Sequence, residues 1–134
     1  MIEINQTNIL DALEEAVAEK GPEYVYANEW GQSSLNEIGE SSGISCNYVH
    51  GEGENLIPGC IAGNVLNRLG ISLGTLTLFE RSPVEDVLIG LADEGYINRV
   101  EFSVAEIIQA AQTAQDLGFS WGDALKAAKN TVPE

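Results

Sequence analysis

Three stretches of the C-terminal half repeat one start signal: Ser82-Pro-Val-Glu85, Ser103-Val-Ala-Glu106 and Ser120-Trp-Gly-Asp123 each set a serine three residues ahead of an acid. That is the spacing of a capping box, in which the serine oxygen accepts from the third backbone N–H and the acid reaches back to the cap's own N–H. Gly95 and Gly118 supply stops for the first two segments, and Lys126 and Lys129 place positive charge in the last turn of the third, where the helix dipole favours it. The pattern predicts three successive helices. A chain that commits more than a third of its length to consecutive helices must bury much of its apolar surface between helices.

The N-terminal half adds two more. From Asn8 to Lys20, Ile9, Leu13 and Val17 recur four residues apart among Asp11, Glu14, Glu15 and Glu19, an amphipathic helix that Gly21-Pro22 ends. Pro58 fits a first helical position, and Ile61, Val65 and Leu69 then repeat every fourth residue up to Gly70. Between these helices, Tyr24-Val25-Tyr26 and Ile44 to His50 have the aromatic and β-branched content of short strands. Residues 28–43 are read as a long acidic loop, Thr75–Phe79 is a strand or an apolar connector, and Tyr96–Phe102 is a candidate for a further strand. The expectation is a mainly helical α+β domain spanning residues 1–134, with about five helices and a small sheet of two to four strands. Phe119 and Trp121 are expected to anchor its core.

Composition narrows the function classes. Against 21 acidic residues stand six basic ones, a formal charge of −15 that repels phosphate backbones, so direct nucleic-acid binding is not expected. The two helices joined at Gly118 superficially resemble a helix-turn-helix, but the second opens on Trp121-Gly-Asp123 and carries its lysines late, which is wrong for reading bases. Residues 1–67 hold 11 of the acids and Lys20 alone among the bases. The 44% of hydrophobic residues is that of a folded domain. The start Met-Ile-Glu-Ile-Asn lacks a basic segment followed by an apolar run, and no stretch is long and apolar enough to span a bilayer. A cytoplasmic protein is expected, with no membrane contact and with Cys46 and Cys60 as free thiols.

Few residues offer chemistry. Cys60, third in a helix begun by Pro58, would lie near free backbone N–H groups that favour a thiolate, and His50 is the only histidine, so a cysteine nucleophile with a histidine base is one reading. A buried structural cysteine is the other. Cys46, His50 and Cys60, joined by Glu52 or Glu54, could supply zinc ligands, but without the paired C-x₂-C spacing of a structural site. No calcium loop, phosphate-loop lysine or dinucleotide fingerprint occurs, and no cofactor is expected. Trp30 stands in the polar loop beside Glu29, either tucked over a core edge or presented to a partner.

One pattern spans nearly the whole chain: Tyr24-Val25-Tyr26, Cys46-x-Tyr48-Val49, Pro58-Gly-Cys60-Ile-Ala-Gly63-x-Val-Leu-x-x-Leu-Gly70, and Ala111-Gln112-x-Ala114-Gln115-Asp116-x-Gly118-x-x-Trp121-Gly-x-Ala124-Leu125. It resembles a set of small uncharacterised proteins of actinobacteria and their phages. The resemblance implies a bacterial or phage-infected cytoplasm and makes both cysteines part of the shared pattern. It brings no activity with it. The expected function is therefore that of a non-enzymatic accessory protein, binding a host or phage protein with a basic surface through an acidic face that includes Glu29, Glu37, Glu40 and Trp30. The alternative is a thiol-dependent enzyme using Cys60 with His50.

Overall fold

The computed structural model describes residues 2–26, 48–50, 56–79 and 82–132. Among them are six α-helices and one two-stranded antiparallel sheet, the mainly helical α+β class expected from the sequence. Helix α1 runs Gln6–Lys20, α2 Ile61–Arg68, α3 Leu73–Leu76, α4 Val84–Asp93, α5 Phe102–Asp116 and α6 Trp121–Asn130. Strands β1 (Val49–His50) and β2 (Ile57–Pro58) pair as a hairpin with Val49 opposite Pro58 and His50 opposite Ile57. Trp30, Glu29, Glu37, Glu40, Cys46, Glu52, Glu54 and the whole 28–43 loop lie outside the described residues.

Helix α5 is the hub, packing against α1, α2, α4 and α6. Its buried stripe is Ala105, Ile107, Ile108, Ala111, Gln112 and Gln115. Ile9, Leu13, Ala16 and Val17 of α1, Ile61, Val65 and Leu66 of α2, and Val84, Val87, Leu88 and Leu91 of α4 join it in one core. Burying each of these large aliphatic side chains contributes about 1.5–3 kcal/mol. Trp121 is fully buried, as expected, with Tyr24 edge-on to its ring at 4.8 Å. Phe119 is 51% exposed and is no core anchor. Gly118, at φ 95°, closes the end of α5 by donating to the Gln115 carbonyl while Phe119 donates to that of Ala114, and residue 119 leaves on the solvent side.

Helix ends fall where glycine predicts them. Gly70, Gly95 and Gly118 all have positive φ and all close the same pair of terminal bonds. Helix starts differ from expectation in four cases, the first being α1, which begins at Gln6 behind an Asn5 cap and not at Asn8. Pro58 belongs to β2, so α2 begins at Ile61 with Cys60 as its N-cap, no side chain capping from that position. Pro83, extended at ψ 150°, takes the N-cap of α4, leaving Ser82 outside. Glu101 occupies the N-cap of α5, which puts Ser103 inside the first turn. Only Ser120 caps as predicted, its Oγ accepting from Asp123 N at 3.2 Å.

The expected strands also thin out. Tyr24 and Val25 carry no strand pairing, Thr75 and Leu76 lie in α3, and Thr77–Phe79 is a 3-10 turn. Of Tyr96–Phe102 only Ile97 makes a bridge, parallel to Ile2, before α5 begins. Short apolar runs fit strand and helix alike, and here packing onto neighbouring helices decides.

Ser120→Ala is expected to destabilise the fold by about 1 kcal/mol through loss of its N–H partner, whereas Ser103→Ala should change stability by less than about 0.5 kcal/mol. Chemical denaturation of the two variants beside the parent measures both. Equal losses would mean that Ser103 caps after all.

Candidate functional site

The turn before α2 draws together the residues that the sequence singles out. Gly59 N donates to the Tyr48 carbonyl at 2.8 Å, continuing the hairpin, and the Tyr48 hydroxyl donates to the Ser82 carbonyl. A Cβ on Gly63 would stand 2.2 Å from the Tyr48 carbonyl oxygen, so no larger residue fits there without moving the backbone. Cys60 is fully buried at this turn.

Its sulfur is in a disulfide, which overturns the free-thiol expectation. Cys46, the one other cysteine of the sequence, lies outside the described residues. A disulfide sulfur has no thiolate to attack with and is no zinc ligand, so neither the Cys60–His50 nucleophile nor a zinc site using Cys60 has a mechanism in this state. His50 is committed elsewhere: its Nε2 lies 2.7 Å from the Tyr26 hydroxyl, and the two rings stack at 5.8 Å with an interplanar angle of 25°. Tyr26 is buried. His50 thus serves to join the hairpin to the segment after α1.

Sequence reasoning missed the group that meets the start of α2. Its first two N–H groups, which no intrahelical carbonyl can satisfy, donate to side chains of α5: Ile61 N to Gln115 Oε1 at 2.8 Å and Ala62 N to Gln112 Oε1 at 3.1 Å. Both glutamines are buried, and both donate their Nε2 to the same Asp116 Oδ1, each at 3.0 Å. From the other side, Asn64 Nδ2 donates to the carbonyls of Gly59 and Cys60. Asp116 is an exposed residue, but its carboxyl is partly withdrawn from water against the two buried amides. That burial pushes its pKa up to about 6, against the opposing pull of the bonds from Gln115 and Gln112. The available signal was spacing, since Gln112 and Gln115 continue the stripe begun by Ala105 and Ile108.

A second feature lies toward the N-terminal end of α5. Leu88, Ile89 and Ala92 of α4 face Val100, Phe102 and Ala105 across an open cleft of about 190 Å³, with Glu85 and Arg99 at its edges. Ile89 is 54% and Phe102 73% exposed, large apolar side chains left open among the described residues. Among the described residues no cluster of histidine, cysteine and carboxylate groups could hold a metal ion, and no helix is long and apolar enough to cross a membrane. Compared with known proteins, the chain matches no family model, no curated protein and no solved structure.

Two outcomes follow from the turn. Because Asp116 holds its proton more tightly in the folded chain than in the unfolded one, the folded state binds more protons between about pH 4 and 6, and its contribution makes stability fall as pH rises through that window. Asp116→Asn, which keeps an acceptor for both glutamines, should remove that slope and stabilise the protein above pH 6 by about 1 kcal/mol or less, solvent screening having reduced the effect. Melting curves across this range decide, and an unchanged slope would place Asp116 in water. Separately, the unreduced protein should show no reactive thiol even when denatured, and Cys60→Ser should cost about 2–5 kcal/mol.

Proposed function

We propose that the protein is a non-enzymatic accessory protein that binds a basic partner protein, in a bacterial or phage-infected cell, through a carboxylate-rich face formed by α4, the following connector and the first turns of α5. One observation carries this reading. Between Val84 and Glu106 stand six acids and a single base, Arg99, which is itself paired with Asp93 at 3.6 Å. The acids of α1 are balanced differently: Arg68 pairs with Glu15 and Glu19, and Lys129 with Glu14 at 2.8 Å. Among the described residues no ion pair is made by Glu85, Asp86, Glu94, Glu101 or Glu106, and the same segment carries exposed Ile89 and Phe102. Like-sign carboxylates around an apolar patch favour encounter with a positively charged surface and then give it something to bury.

The disulfide qualifies where this takes place. Disulfides are rare in a reducing cytoplasm, so the cytoplasmic placement proposed from the sequence requires that complete burial shield Cys60 from cellular thiols.

Immobilised protein and a variant with Glu85, Asp86, Glu101 and Glu106 changed to their amides should be compared on an actinobacterial lysate at low and high salt. The parent should retain a partner that high salt releases, the variant should lose it through slower association, and both should melt alike. A variant with Glu29, Glu37 and Glu40 neutralised, which lie outside the described residues, tests the sequence-based candidates in the same assay. Undiminished capture by the four-fold variant would end the proposal for this face.

A further inference from the structure

The cleft between α4 and α5 has the dimensions of a pocket for one side chain. Its volume of about 190 Å³ compares with the roughly 150 Å³ of an apolar cavity that takes up benzene. Two alanines, Ala92 and Ala105, make the room, one from each helix, while Ile89 and Phe102 stand beside it exposed. Leu88 is buried and Val100 partly so, both apolar. An interface anchored on several turns of a partner helix would need a longer groove than these residues span.

Charge narrows the occupant further. Of the two charged residues at the edges, Arg99 is paired with Asp93, and Glu85 has no ion-pair partner among the described residues. A ligand entering here meets an apolar recess, a carboxylate with no ion-pair partner among the described residues and the excess of acids already described for residues 84–106. Resting on the acidic-face reading above, we propose that the cleft receives a single large apolar or aromatic side chain of the partner, flanked in its sequence by lysine or arginine. The recess supplies selectivity for the anchor, and Glu85 with the neighbouring acids orients the basic flank.

The experiment is a titration of the isotope-labelled protein, followed by amide chemical shifts, with a short lysine-rich peptide holding one central phenylalanine and with its alanine analogue. The phenylalanine peptide should bind about tenfold more tightly or better, with shifts concentrated at Leu88, Ala92, Val100 and Ala105. Ala92→Phe, which fills the recess from within, should abolish the preference while leaving the salt-sensitive part of binding. Phe102→Ala, an exposed residue whose loss leaves the core intact, should weaken the preference in the same direction. Equal, salt-sensitive binding of both peptides overturns the pocket and leaves the acidic-face reading standing. Binding of neither overturns both. A preference that survives Ala92→Phe places the anchor elsewhere, and shifts at the cleft that grow with protein concentration alone give it to a second copy of this chain, so either result overturns the proposal.

Discussion

The start of α2 is held by a helix more than forty residues further along the chain. Gln112 and Gln115 use their carbonyl oxygens to accept the two leading N–H groups of α2 and their amide nitrogens to grip Asp116, so each spends both ends of its side chain on one joint. Leaving those N–H groups buried and unpaired would cost about 1–3 kcal/mol each, and two buried glutamines without partners would add to that. The joint therefore fixes the relative position of α2 and α5 far more sharply than apolar contact alone. The hairpin, the Cys60 turn and the close approach of Gly63 to Tyr48 all sit on the α2 side of it. On the other side, α5 carries the wall of the cleft.

The contrast between helix ends and helix starts explains what could be read from the sequence. An end at Gly70, Gly95 or Gly118 is decided by one residue's freedom to adopt positive φ, which is a local property and therefore legible. A start is decided by whatever satisfies the leading N–H groups, and here that is often remote. In α6 even the correctly foreseen Ser120 shares the task, because Trp121 and Gly122 donate to the carbonyls of Tyr24 and Pro22. A Cβ on Gly122 would lie 2.6 Å from the Pro22 carbonyl, so the approach depends on glycine just as the Gly63 contact does. The class and five of the six described helices were accessible from periodicity and end signals, while α3 was not foreseen and Ser82, Ser103 and Pro58 misled because each is a sound local signal that tertiary partners overrode.

The candidate sites were less legible for a related reason. Cys60 and His50 drew attention by chemistry, yet the disulfide and the Tyr26 hydroxyl decide what each does, and neither partnership has a spacing rule that a sequence reveals. The α4–α5 cleft is harder still. It exists because two alanines face each other across helices joined by a turn and an extended connector, and no single segment encodes a void.

Charge shows how far a linear count departs from a folded field. By sequence the first half of the chain holds the acidity, with 11 acids to Lys20 alone. In the fold, Arg68 and Lys129 reach back from later segments to three of the four acids on α1, so the exposed face of that helix is partly neutralised by residues counted elsewhere. Such surface pairs add little stability, typically under about 1 kcal/mol, but they redistribute potential. Between Val84 and Glu106 only Arg99 is available to do the same, and it stands at the edge of the cleft tied to Asp93. Six acids to one base thus stand in the segment that also forms the α4–α5 cleft. An apolar patch beside like charges is disfavoured for packing against another equally acidic surface and suited to a basic one, so the proposed sign of the partner follows from where the bases fold back and not from the total of −15.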